Sequence, residues 1–185
     1  MIPMWVFLLL LALVLAAMGV TALPTVWRVL RGTMWYARGL RAYRRGALDR
    51  AQAAWLRTLE IVPWHPSAHY NLGVLNAKAG RVDEAIGEYE KAVELNPRLA
   101  KAHFNLGNAY LRLTEYRKAA RAYEAATLTP RGHLASHLQL GLLYQQELLD
   151  DRKALYHFTE YLRLGGTDQR VLANIRKVQE KMSGS

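Results

Sequence analysis

The chain has 185 residues, 25 of them Lys or Arg against 15 Asp or Glu, a formal net charge of +10, and no cysteine. The missing thiols exclude disulfides, thiolate catalysis, cysteine-bound zinc and iron–sulfur ligation. A hydrophobic share of 51% is ordinary for a globular domain and argues against disorder. The basic excess leaves nucleic acid, an anionic membrane surface or an acidic partner open.

From Trp5 to Leu23 run 19 residues without a charge, nearly all Leu, Val, Ala, Phe or Met. As a helix they would extend about 28 Å, close to the hydrocarbon thickness of a bilayer. Trp5 and Trp27 would be interfacial anchors, and Pro24 lies near the far boundary. No Lys or Arg precedes the run and it exceeds a signal-peptide core, so an uncleaved anchor is expected over residues 1–31, single-pass. The flanking charge is all on one side, in Arg28, Arg31, Arg38, Arg41, Arg44 and Arg45. By the positive-inside rule the N-terminus is expected outside and the remainder cytoplasmic, at a bacterial inner membrane. Arg28, Arg31, Arg38 and Arg41 would meet anionic lipid at the membrane surface. Ala12, Ala16 and Gly19 form a small-residue face that could pack on another helix in the bilayer.

The next part repeats with a step of 34. Leu72-Gly73, Leu106-Gly107 and Leu140-Gly141 keep it, with Gly39 one step earlier, as do Ala51, Ala85 and Ala119, and Trp55, Tyr89 and Tyr123. Ala154 and Phe158 follow at 35, Pro63 and Pro97 share the 34 step, and Gly46 matches Gly80. Such self-similarity marks a stacked array of one supersecondary unit. The helices are predicted at about 34–45, 48–62, 67–79, 82–95, 101–113, 116–128, 134–147 and 151–164. Asp83 and Asp150 suit helix starts, and one extra residue falls in the turn near 148–151. The glycines would let helices approach closely, Ala85 and Ala119 would sit at helix crossings, and prolines at 63, 97 and 130 would set the turns. After Gly165-Gly166, the residues Val171, Ile175, Val178 and Met182 recur at helical spacing and predict an amphipathic capping helix, followed by a flexible end at 183–185.

The pattern of aromatic, Leu-Gly, Tyr, Ala, aromatic and Pro resembles the tetratricopeptide repeat (TPR) family. It is best in Tyr70-Asn71-Leu72-Gly73 through Asn96-Pro97 and in Phe104-Asn105-Leu106-Gly107 through Pro130. The resemblance implies an all-α solenoid of about four hairpins, at 32–65, 66–99, 100–133 and 134–166, with 167–185 as cap and tail. It also implies a concave surface lined by the first helix of each hairpin. The groove places carried over are Tyr36, Tyr70 and Phe104 with Leu138; Asn71, Asn105 and Gln139; Leu40, Val74, Asn108 and Leu142; and Arg44, Lys78 and Arg112. Amides both donate and accept and would suit an extended backbone, and the cations would favour an acidic segment. The aromatic row fits packing within hairpins as well as it fits binding. The carboxylate clamp of some family members wants Lys where this chain has Tyr70 and Phe104, so that mode is not expected. The membrane-anchored repeat protein of lipopolysaccharide assembly ends in a cysteine-bound metal domain, which this chain lacks.

No catalytic motif is present: no nucleophile elbow, Walker loop or dinucleotide fingerprint. His69, His103 and His137 share one repeat place, but equivalent positions in stacked hairpins lie roughly 10 Å or more apart. That is too far for one zinc ion, so no metal and no cofactor is expected. None of the usual nucleic-acid readers appears. The expectation is a non-enzymatic, membrane-tethered scaffold or assembly factor that takes a protein partner, with lipid as a second contact, and no nucleic acid or small-molecule substrate. The alternatives are a structural subunit of a membrane complex packed through its span, and an extracytoplasmic assembly factor for cytochromes or pili.

Overall fold

The computed structural model describes the backbone of residues 4–128 and 134–183, and the side chains of residues 14, 24–128 and 134–183. The sequence expectations for Trp5 to Leu23, for the small face at Ala12, Ala16 and Gly19, for Pro130 and for the last two residues lie, in side-chain terms, outside the described residues. Among the described residues the structure is all-α, a helical-repeat solenoid without strands. The helices are α1 (Met4–Arg44), α2 (Leu48–Ile61), α3 (Pro66–Lys78), α4 (Val82–Leu95), α5 (Ala100–Arg112), α6 (Tyr116–Thr127), α7 (Leu134–Gln146), α8 (Asp151–Arg163) and α9 (Gln169–Ser183). The chain divides into two compact units, Met1–Ala68 and His69–Ser185.

One expectation is overturned. Among the described residues no helix is long and apolar enough to cross a membrane. The single-pass topology, with its N-terminus outside and repeats on the cytoplasmic side, is not upheld. The physical reason is visible in α1, a helix of 41 residues that carries Pro24 inside it and continues into the first repeat. From Pro24 onward it bears Arg28, Arg31, Arg38, Arg41 and Arg44, too dense a charge for hydrocarbon.

In the first unit α1 lies against α2. A Cβ on Gly39 would come within 2.3 Å of the Trp55 indole Nε1, and one on Gly32 within 2.5 Å of Val62 Cγ2. Helix α2 buries Ala51, Ala54, Trp55 and Thr58, the i, i+3, i+4, i+7 stripe of an amphipathic helix. Trp55 Nε1 has no hydrogen-bond partner among the described residues, so the ring is held by packing.

In the second unit the same device recurs. Helices α4, α6 and α8 each bury a small residue four before an aromatic one: Ala85 and Tyr89, Ala119 and Tyr123, Ala154 and Phe158. Each ring lies on the glycine of the preceding helix. A Cβ on Gly73, Gly107 or Gly141 would stand 2.5–2.6 Å from the ring of Tyr89, Tyr123 or Phe158. The glycines therefore admit an aromatic side chain rather than a neighbouring backbone. Helix α9 covers α8 with Val171 and Val178, each 1% exposed.

Three of the hairpin turns close in one way. Gly46 N donates to Tyr43 O and Ala47 N to Ala42 O; Gly80 and Arg81, then Thr114 and Glu115, repeat that pair of bonds. This closure needs a left-handed residue. Gly46 and Gly80 supply it at φ of 74° and 78°, whereas Thr114 adopts 58° with a β-branched side chain. The extra residue expected near 148–151 is real: the α7–α8 turn runs over 147–150, with Leu149 at φ 52°. Asp150 caps α8, accepting from Lys153 N at 3.0 Å. Asp83 lies in the first turn of α4, where a carboxylate complements the helix dipole.

Candidate functional site

Lys78, at the end of α3, and Asn105, Asn108 and Arg112 along α5 converge on one hollow of about 310 Å³. Its floor is apolar, made by Val74, Ala77, Val82, Tyr89 and Ala109. The register follows from sequence: 105, 108, 109 and 112 lie on one face of a helix. Arg112 Nη1 donates to Ala77 O at 3.1 Å, tying α5 to the last turn of α3.

The two amides are oriented by phenols. Tyr123 Oη donates to Asn108 Oδ1 at 2.7 Å, and Asn105 Nδ2 reaches Tyr70 Oη at 3.4 Å. These bonds engage the carbonyl of Asn108 and the NH2 of Asn105, leaving the NH2 of the first and the carbonyl of the second for a ligand. One amide offers donors and the other an acceptor, a pair suited to the C=O and N–H of an extended chain. Burial raises the Tyr123 phenol well above its ordinary value, so it remains a donor at physiological pH.

The other carried-over positions lie elsewhere. Tyr70 packs on Tyr89 with ring centroids 6.1 Å apart, and Phe104 on Tyr123 at 5.6 Å. Asn71 is half-buried on α3, and Gln139, on α7, does not line the hollow. In the first unit Tyr36 packs against His65 with tilted rings, centroids 4.6 Å apart, and Arg44 is exposed at the end of α1. Among the arginines read as membrane-facing, Arg28 donates to Ile61 O at 2.6 Å and covers Trp64, and Arg38 covers Trp35. Arg31 and Arg41 are exposed.

Sequence reasoning missed the ties between successive hairpins. Tyr110 Oη donates to Glu90 at 2.5 Å and Tyr144 Oη to Glu124 at 2.6 Å. Both partners keep the 34-residue step, so the signal was present: a Glu following each second-helix tyrosine. Burial and then the carboxylate hold both phenols well above their ordinary range. Among the described residues no group of three His, Cys, Asp or Glu is placed to hold a metal ion. His69 instead meets Glu88 at 2.7 Å, His103 meets Pro97 O at 3.0 Å, and His137 meets His157 at 3.1 Å.

A profile described as TPR repeat matches residues 77–114, and one described as tetratricopeptide repeat matches 100–129. These residues are tetratricopeptide repeats. Solved structures extend the likeness of fold beyond that segment. MamA protein shares 22% identity, with 83% of this chain and 83% of that chain covered and a TM-score of 0.72. The pilF protein of Pseudomonas aeruginosa shares 23%, covering 85% and 71%, with a TM-score of 0.69. A tetratricopeptide repeat protein from Parabacteroides merdae shares 22%, covering 84% and 61%, with a TM-score of 0.71. At these identities the likeness concerns the fold. No curated protein matches the chain. Tetratricopeptide repeats generally act as protein-interaction scaffolds.

The paired histidines at α7–α8 give the repeat a pH response. Only one proton fits between His137 Nδ1 and His157 Nδ1, 3.1 Å apart. Burial, then the neighbouring His137 and Lys153, lower the His157 pKa to about 4, opposed by Glu160. The unfolded chain takes up that proton near the ordinary value of 6.5, the folded chain only near 4. Stability is therefore full above that ordinary value and falls as pH drops through this window. Discounted for solvent at the edge of the pair, the loss is about 2 kcal/mol. Urea midpoints from pH 7.5 to 4 should show it, and His157→Phe should flatten the curve; an unchanged slope in the variant would assign the response elsewhere.

Proposed function

We propose that the chain is a protein-interaction scaffold, or assembly factor, that holds an extended acidic segment of a partner protein in the α3–α5 hollow. The observation that carries this reading is the pair of pre-oriented amides, Asn105 and Asn108, above an apolar floor and between two cations, Lys78 and Arg112. Orientation before binding lowers the entropy lost on association. The cations select against basic segments and speed the approach of acidic ones. The apolar floor accepts one side chain of the bound segment.

Selection of random extended peptides by the full chain should enrich sequences with Asp or Glu next to an apolar residue. Lys78→Glu should weaken the selected peptides at least roughly ten-fold, as like charge then faces like charge across the interface. Asn105→Ala should weaken acidic and neutral peptides alike, since it removes a hydrogen bond to the peptide backbone. Selection without acidic enrichment, or peptides indifferent to both changes, would move the working surface away from this hollow.

A further inference from the structure

The basic residues of the chain are unevenly paired. Lys91 meets Glu88, Lys118 meets Glu115, Arg163 meets Glu160, Arg170 meets Asp168 and Lys181 meets Asp151. At the α1–α2 turn no such pair occurs among the described residues. Arg38, Arg41, Arg45 and Arg50 surround a second hollow of about 310 Å³, whose remaining lining is Ala42 and Ala47. None of the four arginines has a carboxylate partner among the described residues, and Asp49, their acidic neighbour in sequence, lines no part of the hollow.

Four like charges about one hollow repel one another, and an anion placed among them removes that repulsion. Position explains the convergence. Arg38 and Arg41 lie three residues apart near the end of α1, Arg45 opens the turn that follows, and Arg50 lies in the first turn of α2. All four are arginine, and a guanidinium presents a planar fork that matches two oxygens of an oxyanion at once. The remaining lining, Ala42 and Ala47, carries no bulky side chain to fill the hollow. A phosphoryl group offers three acceptor oxygens and close to two negative charges, whereas a carboxylate offers two oxygens and one charge. A hollow of this size is at the lower limit for small-ligand sites.

We propose that the Arg38, Arg41, Arg45 and Arg50 hollow binds a phosphoryl-bearing anion. The site stands apart from the α3–α5 hollow in residues and in chemistry, so it does not depend on the proposed partner groove.

The test is calorimetric titration of the full chain with inorganic pyrophosphate. A second arm is co-sedimentation with phosphatidylcholine vesicles, with and without phosphatidic acid. Arg41→Gln/Arg45→Gln is compared with Arg117→Gln/Arg121→Gln, which removes the same charge from α6. The expected result is binding that falls at least about ten-fold in the first pair and stays within about two-fold in the control, since each substitution at the hollow removes one bidentate guanidinium fork. If pyrophosphate shows this dependence, the source is a free phosphate. If only the phosphatidic acid vesicles show it, the source is a lipid headgroup; either result supports the site. No binding of either probe, or equal weakening in both variants, overturns it. Arg38→Gln/Arg50→Gln repeats the test from the other side of the hollow should the first variant misfold.

Discussion

Phe158→Ala should lower the free energy of unfolding by about 3–5 kcal/mol, the range for deleting a fully buried aromatic ring. Phe158 is 0% exposed and packs with Leu140, Ala154, Tyr161 and Val171 in one cluster. Its ring fills the space that Gly141 leaves, for a Cβ there would stand 2.5 Å from it. A glycine has no side chain with which to close the gap, so the cavity persists. Val171 belongs to α9, and the capping helix loses part of its seat with the ring. Urea denaturation is the measurement: the midpoint should fall with little change in slope. A loss under about 1 kcal/mol would mean that the closing hairpin relaxes around the void.

Gly107→Val should cost about 3 kcal/mol by the opposite error, too much matter in a filled space. The added Cβ would meet Tyr123 Cδ1 and Cε1 at 2.6 Å. The ring is 0% exposed and is pinned at its far end by the bond to Asn108, so it has nowhere to swing. Gly87 is the counter-case. It lies within α4, and a Cβ there meets nothing within 4 Å. Gly87→Ala should therefore stabilise by about 0.5–1 kcal/mol through helix propensity alone. The pair separates two uses of glycine in one repeat. Equal effects, measured as shifts in thermal midpoint, would remove the ring-on-glycine account.

The repeat was legible because its landmarks are steric and periodic. Gly73, Ala85, Tyr89 and Pro97 each answer to a packing rule, and the same rules recur one step on; helix boundaries then follow to within a few residues. The residues of the hollow were legible only as a row of places. That Lys78, Asn105, Asn108 and Arg112 share a hollow, while Tyr70 and Phe104 turn to neighbouring rings, depends on side-chain partners with no sequence signature. The ties from Tyr110 to Glu90 and from Tyr144 to Glu124 kept the period, yet Glu on a helix surface reads as solvated until its partner is seen. The start of the chain misled for a different reason. Hydropathy scores a run of residues by itself, whereas α1 is one helix of 41 residues that continues through Pro24 into the first repeat.

The left-handed closures of the hairpins set a time order for the molecule. Where glycine closes the turn, as at Gly80, the backbone rests without cost; at Thr114 and Leu149 a side chain opposes it by about 1–2 kcal/mol. Amides at these two turns have the lower barrier to brief opening, and hydrogen exchange would begin there. Thr114 lies two residues after Arg112, whose bond to Ala77 O ties α5 to α3. Each opening at that turn would loosen the rim of the hollow, a consequence of a left-handed closure made without glycine.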